Sequence, residues 1–199
     1  MLFRTLCCAC AAWLWGVEAA WATTPLEYTH AILEQARAIV ASDQTHNAKL
    51  AALSVLLKDF LDTDDMGKAA LGKNASRFTR VQQREFLALF GVLFQRTYVQ
   101  KLLLFDKPDF GYVGEERLKK TARVDTKIIT PRDEFAVTYQ LRPADDHWLA
   151  TDVRIEDLSL TMNFRRQIDR LLSKASVDGL LRRMRRKYGP RGPDGADVP

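Results

Sequence analysis

Three residue classes usually carry chemistry in a folded chain: histidine, cysteine and converging carboxylates. The three histidines are His30, His46 and His147. No two of them stand at the two- or four-residue spacing of a metal pair, and no G-x-S-x-G elbow accompanies them. Each is read as a surface residue. The three cysteines, Cys7, Cys8 and Cys10, all fall near the first residue, inside a segment read below as a leader. The chain without that leader has no thiol for nucleophilic attack, a disulfide or zinc. Asp152 and Glu156 share a strand face, but four strand residues hold them about 13 Å apart, too far for direct cooperation. Asp62, Asp64 and Asp65 are read as helix-capping and solvated, because a cation site needs more oxygen ligands converging on one point. There is no Gly-rich phosphate loop. Neither catalysis nor a cofactor is therefore expected.

Charge is the remaining chemical feature. The formal net charge is +5, and Arg182, Arg183, Arg185, Arg186, Lys187 and Arg191 concentrate it near the C-terminus. Nucleic-acid binding calls for aromatics interleaved with the basic residues and for a cytosolic address, and neither is evident. Two readings stay open for Arg182, Arg183, Arg185 and Arg186. One is a solvated helix end, since cations near a helix C-terminus are stabilised by its dipole. The other is contact with anionic headgroups or an acidic partner.

The address is read from the first residues. Arg4 supplies a short positive region, Leu6 to Val17 is apolar, and Ala20-Trp21-Ala22 is a small-x-small cleavage pattern. Residues 1–22 are expected to be a signal peptide cleaved after Ala22. The apolar run is too short, and too soon interrupted by Glu18, to span a membrane. A lipoprotein anchor at Cys10 is disfavoured because Cys7-Cys8-Ala9 lacks the usual leucine. With 199 residues, one domain over 23–188 is expected. Residues 189–199, rich in glycine and proline, are expected to form a disordered tail.

The elements that position any site follow from periodicity and caps. Thr24-Pro25-Leu26-Glu27 has a capping threonine, proline at the first helical position and glutamate three after the cap, opening a helix to about Ala41. A second helix follows Asn47 and carries Leu50, Leu53, Leu57, Phe60 and Leu61. The aspartates then open a short helix that ends at Gly72. Thr79 caps a long helix to about Leu104, apolar nearly all round, which must be covered on most sides by protein or ligand. Gly91 in its middle costs about 1 kcal/mol relative to alanine, and marks close approach by another element or space for a guest.

From Asp109 the period becomes two. Gly111-Tyr112-Val113 begins a short strand. Ala122, Val124, Thr126 and Ile128 form one strand face; Phe135, Val137, Tyr139 and Leu141 form another. In the strand of 147–157, Leu149, Thr151, Val153 and Ile155 fall on one side, and Trp148, Asp152, Arg154 and Glu156 on the other. Turns at Pro131-Arg132-Asp133 and Pro143-Ala144-Asp145-Asp146 make this an antiparallel meander. Near Ser159 the period returns to that of a helix, with Phe164, Ile168, Leu171 and Leu172 on one face. Ser176 caps a last helix with the stripe Leu180, Leu181, Met184 and Tyr188. The class is α+β: N-terminal helices, a long apolar helix on a meander, then C-terminal helices.

Three ordered blocks carry a family resemblance. The first is Trp148, Asp152, Val153, Ile155, Glu156, Ser159, Leu160, Asn163, Phe164, Arg165 and Gln167. The second is Phe60, Asp62, Met66, Leu71 and Gly72. The third is Gln82, Arg84, Phe86, Phe90, Phe94, Tyr98 and Leu102. Together they resemble the MlaC family of periplasmic phospholipid-shuttling proteins, also described as toluene-tolerance or ABC-transporter auxiliary proteins. The family more often has glycine where this chain has Asp157, so that turn is expected to be built differently.

The resemblance implies an exported, periplasmic carrier with a phospholipid ligand, an inner-membrane ABC transporter complex with an MCE-domain subunit, an outer-membrane lipoprotein complex, and transient membrane contact. It also admits a hopanoid or another apolar lipid. Burying an acyl chain calls for a deep apolar cavity, placed between the sheet and the long helix. The candidate lining is Leu87, Phe90, Phe94 and Tyr98 from the helix, Val137 and Tyr139 from the sheet, and Leu160 and Phe164 from the covering turn and helix. An exported enzyme would instead show a polar cavity with convergent titratable groups, and a protein-binding scaffold would show a dry, filled core.

Overall fold

The computed structural model describes residues 23–104 and 108–189. The expected signal peptide and the tail from residue 190 lie outside the described residues. The helices begin where short polar side chains can accept the unpaired N–H groups of a first turn. Helix α1, Pro25–Ala41, opens on a reciprocal capping box. Its Thr24 hydroxyl accepts the Glu27 N–H at 3.1 Å, and the Glu27 carboxylate accepts the Thr24 N–H at 2.8 Å. Helix α2 is His46–Phe60, capped by Thr45. Helix α3, Thr63–Leu71, is capped by Asp62 and continues into a 3₁₀ stretch, Gly72–Arg77. Helix α4, Arg80–Leu102, opens on a second capping box, Thr79 with Gln82.

Gly72 is required twice over. Its φ of 49° is a left-handed value, and a Cβ there would lie 2.7 Å from the Arg165 guanidinium. That guanidinium donates from Nε to the Ala69 carbonyl at 2.9 Å, so the end of α3 is held from across the core.

The sheet is a five-stranded antiparallel meander in the order β1-β2-β3-β4-β5. Its strands are β1, Asp109–Arg117; β2, Ala122–Ile129; β3, Glu134–Ala144; β4, His147–Ile155; and β5, Leu158–Ser159. Strand β1 is longer than its short apolar run indicates, because it pairs with β2 from Asp109 through Arg117. A bulge between Tyr112 and Gly114 interrupts that ladder. Helix α5, Leu160–Leu172, follows β5 directly, with Ser159 as its cap, and α6, Val177–Tyr188, is capped by Ser176.

One expectation from strict alternation is corrected by a second bulge. Gln140 pairs with Asp152 and Leu141 with Ala150, so Thr151 is an extra residue on β4. A bulge moves every side chain before it to the opposite face. Trp148 and Ala150 therefore point inward with Val153, while Leu149 and Thr151 do not join them in the core. The bulge also serves as a dock. The Asp62 N–H donates to the Ala150 carbonyl at 2.9 Å, and Arg142 donates from Nε to the Asp62 carboxylate at 2.8 Å. The capping aspartate thus ties the start of α3 to the sheet as well.

The hairpin between β4 and β5 departs from the usual glycine. Glu156 and Asp157 both take positive φ, 48° and 62°, as the two central residues of a mirror-image turn must. Two contacts hold this turn without glycine. Glu156 Oε1 accepts the Ala136 N–H at 2.5 Å, and Arg154 donates to the Asp157 carbonyl at 2.7 Å.

Helix α3 approaches α4 more tightly at Gly67 than at Gly91. A Cβ at Gly67 would sit 2.7 Å from Leu87 and 3.1 Å from Phe90 on α4, whereas one at Gly91 would meet only Thr63, at 3.4 Å or more. The two glycines should answer alanine with opposite signs. Gly67→Ala is expected to destabilise by about 1–3 kcal/mol through overpacking, and Gly91→Ala to stabilise by about 0.4–1 kcal/mol through lost unfolded-state freedom. Urea unfolding of the two variants side by side checks both.

Candidate functional site

Helix α4 makes its close backbone approaches to α2, α3 and α6 rather than to the sheet. The space left between α4 and the inner sheet face is an apolar cavity of about 230 Å³. Its inner end is closed by buried Leu33 and Ala36 of α1, Phe60 and Leu61 at the end of α2, and Val137, Tyr139 and Val153 of the sheet. Its partly exposed lining residues, Tyr98, Lys101 and Leu102 of α4 with Phe135 and Ile155 of β3 and β4, mark the mouth. The start of β3 and the ends of β2 and β4 lie at that edge, and Leu104, Leu158 and Met162 on the neighbouring segments are exposed apolar residues. The cavity divides the apolar interior. Ala36, Leu53 and Val99 form a small cluster under α1 and α2, separate from the main core.

Of the residues expected to line this space, Phe94, Tyr98, Val137, Tyr139 and Leu160 do so. Leu87 instead lines a second groove of about 320 Å³, between α2, α3 and α4, beside Lys58, Thr63 and Gly91. Phe90 and Phe164 are not at the cavity wall. Their rings pack edge to face at 5.1 Å in the layer where α3, α4 and α5 meet. Periodicity cannot assign them, because a helix apolar all round offers no polar face to orient it. The contributions of Leu33, Ala36, Leu57 and Phe60 were not legible as lining. Phe60 opens a family-like block, and that was the one available signal.

The buried polar group of the cavity wall is the Tyr139 phenol. The Thr126 hydroxyl donates to the Val137 carbonyl at 3.1 Å and is paired with the hydroxyl of Tyr139. Burial pushes the Tyr139 phenol well above its ordinary value of 10.0. Burial likewise raises Tyr98, whose hydroxyl pairs with the Asn163 side chain, and Tyr28. Tyr112 is raised by burial and then by its hydrogen bond to Glu34. A phenol raised in the folded state keeps its proton there longer than in the unfolded chain. Its stabilising contribution is complete below the unfolded value and is lost as pH rises past it. Urea unfolding at about pH 8 and about pH 11 should therefore show an alkaline loss of stability. That loss should be smaller in Tyr139→Phe, and an equal loss in both proteins would count against burial of the phenol.

The carboxylates considered for chemistry are committed to backbone. Asp152 accepts the Thr161 N–H at 3.1 Å, and Glu156 serves the β4–β5 turn as described. His30 lies against the Tyr112 ring at 4.4 Å, and His147 faces Asp146 at 3.2 Å. Among the described residues, no three His, Cys, Asp or Glu side chains group as a metal site. On α6, Arg182, Arg183 and Arg186 are exposed. Arg185 pairs with Glu85 of α4, and this bond, with the nearby charge, raises the guanidinium above its ordinary value. Arg185 is thereby a clamp between α6 and α4 and not a free member of the cluster.

This arrangement of helices, meander and cavity has known relatives. The profile of the MlaC protein family matches residues 27–186. The chain belongs to the MlaC family. No curated protein matches it. Among solved structures, it is similar to the phospholipid-binding protein from Ralstonia solanacearum, described in complex with a phospholipid. That likeness has a TM-score of 0.72 at 19% identity, covering 81% of this chain and 95% of the other. At that identity the likeness speaks for the fold. Within this MlaC-family chain the three family-like blocks have distinct places: Phe60 to Gly72 forms the blind end and the α3 dock, Gln82 to Leu102 the helical wall, and Trp148 to Gln167 the bulged strand and the start of α5.

Proposed function

We propose that this protein is a periplasmic carrier that encloses the acyl chains of a phospholipid and moves the lipid between the inner and outer membranes. The observation that carries this reading is the cavity wall, apolar from α1 to the sheet and open at one edge. Each methylene moved from water into such a space gains about 0.8 kcal/mol, so a few carbons of chain secure a lipid against loss to water. Family membership and a structural relative described with a bound phospholipid support the choice of ligand. No helix among the described residues is long and apolar enough to cross a membrane. On this reading the lipid is collected from membranes and from partners. Those partners are an inner-membrane ABC transporter complex with an MCE-domain subunit and an outer-membrane lipoprotein complex.

The deciding experiment is native mass spectrometry of the protein exported and purified without detergent, followed by extraction of what it carries. A one-to-one adduct with the mass of a phospholipid is expected. A hopanoid would redirect the reading to a polycyclic ligand. Protein that is bare, and that takes no lipid from vesicles, would sink the carrier reading in favour of a protein-binding scaffold. The exposed arginines of α6 are assigned to an acidic partner or to headgroups. Reversal of Arg182, Arg183 and Arg186 to glutamate is expected to slow lipid delivery between vesicles or partner complexes without changing lipid occupancy; an unchanged rate would remove them from the docking surface.

A further inference from the structure

The cavity wall carries one charged residue. Apart from the phenols of Tyr98 and Tyr139, every other lining side chain is apolar, and the exception is Lys101. It is exposed, stands in the last turn of α4, and so lies at the mouth. Its ammonium sits 5.3 Å from the centre of the Tyr98 ring, and the hydroxyl of that ring is paired with Asn163 at the start of α5.

Three carboxylates at the same edge of the sheet have partners of their own, and the exposed Asp133 and Asp157 on the two turns there form no ion pair with Lys101. Asp109 faces Arg37 at 3.6 Å, Glu134 faces Lys127 at 2.5 Å, and Glu156 accepts a backbone N–H. Among the described residues, Lys101 enters no ion pair. An amphiphile with its chains in the cavity must leave its polar end at this mouth, where the ammonium offers three donors and a charge that no described carboxylate pairs.

We propose that Lys101, with the Tyr98–Asn163 pair beside it, forms a phosphate-binding site for the headgroup of the lipid held in the cavity. The ligand class is then an amphiphile with an anionic phosphate next to its chains, and neutral lipids of equal apolar bulk are discriminated against. This inference rests on the carrier reading and adds headgroup chemistry to it. A charge-assisted hydrogen bond is about twice as strong as a neutral one, which corresponds to a preference of about tenfold. The aromatic ring beneath the ammonium restricts where it can go and leaves its outer side for the phosphate.

The test is competitive loading from mixed vesicles of phosphatidylglycerol and diacylglycerol with identical acyl chains, the bound ratio being read by native mass spectrometry. The wild-type chain is expected to favour phosphatidylglycerol by about tenfold. In Lys101→Gln the ratio should fall to about one, Lys101→Arg should keep most of the preference, and Lys101→Glu should reverse it. Because a cation in the last turn also complements the helix dipole, thermal unfolding of each variant accompanies the ratio; the ratio compares two lipids on the same folded protein and is insensitive to a common loss of stability. A ratio in Lys101→Gln equal to that of wild type would overturn the proposal while leaving the carrier reading intact. Failure of the wild-type chain to load either lipid would reject the carrier reading itself. Displacement of phosphatidylglycerol by glycerol 3-phosphate would reassign Lys101 to a soluble phosphate ester and overturn the lipid assignment; no displacement is expected.

Discussion

Ile155→Trp combined with Val137→Phe is expected to empty the protein of lipid while leaving it folded. Both side chains line the cavity of about 230 Å³, Val137 deep on β3 and Ile155 near the mouth on β4. In a filled core such enlargements force strained rotamers and cost about 1–3 kcal/mol each. Here the added atoms enter space that already exists, and cavity filling commonly raises stability. The ligand bears the loss instead. Each methylene kept out forfeits about 0.8 kcal/mol, so exclusion of two lowers affinity by about tenfold, and a ring that blocks the passage removes more. Lipid co-purification should drop by at least that factor, with a melting temperature equal to or above that of delipidated wild type. Full occupancy in a stable double variant would show that the lipid lies elsewhere, with the groove lined by Leu87 and Gly91 as the next place to look.

Phe90→Ala should have the opposite profile, with a large loss of stability. The Phe90 ring is fully buried. It stacks on Phe86 at 5.8 Å and meets Phe164 at 5.1 Å, and it lies under Gly67, where α3 presses on α4. Truncation there removes the contact shared by three helices, and those backbones cannot close the hole without parting elsewhere. Removal of a buried phenylalanine costs about 3–5 kcal/mol, a large share of the roughly 5–15 kcal/mol that a domain possesses. Urea unfolding measures this directly, and Phe90→Leu should recover most of it. A cost below about 1 kcal/mol, accompanied by increased lipid uptake, would put Phe90 at the cavity wall after all.

These two variants separate what could be read along the chain from what could not. The element boundaries were legible because their causes are local. Thr24, Thr79, Ser159 and Ser176 cap within three residues of themselves, and the meander follows from period-two runs joined by short turns. The inner face of the sheet was legible for the same reason up to β4. There the extra residue at Thr151 inverts Trp148 and Leu149, and a bulge leaves no mark in a pattern of apolar and polar letters. The division of α4 between core and cavity was also hidden. Phe90 and Phe94 are alike in type and only four residues apart, yet one packs against α3 while the other also faces the void. That difference depends on where α4 stands relative to the sheet, which is a tertiary fact. Lys101 was not legible either, because one lysine on a long helix is ordinary until its neighbours are known to be an apolar wall.

The interruption between Tyr112 and Gly114 bears on how the protein behaves among its own copies. An outermost strand with a regular row of unpaired amides is a template for another chain and a starting point for aggregation. Strand β1 is such a strand, nine residues long, with Val113 exposed on it. The bulge breaks the regular spacing of its amides at that residue, and Glu115, Glu116 and Arg117 bring charge to the rest of the edge. At the opposite side the sheet ends in β5, two residues long, with α5 following at once. The outer side of β4 beyond β5 is met at Ala150 by Leu61 and Asp62, so both edges are interrupted. The extra residue in the first strand thus acts against edge-to-edge pairing between copies of the chain.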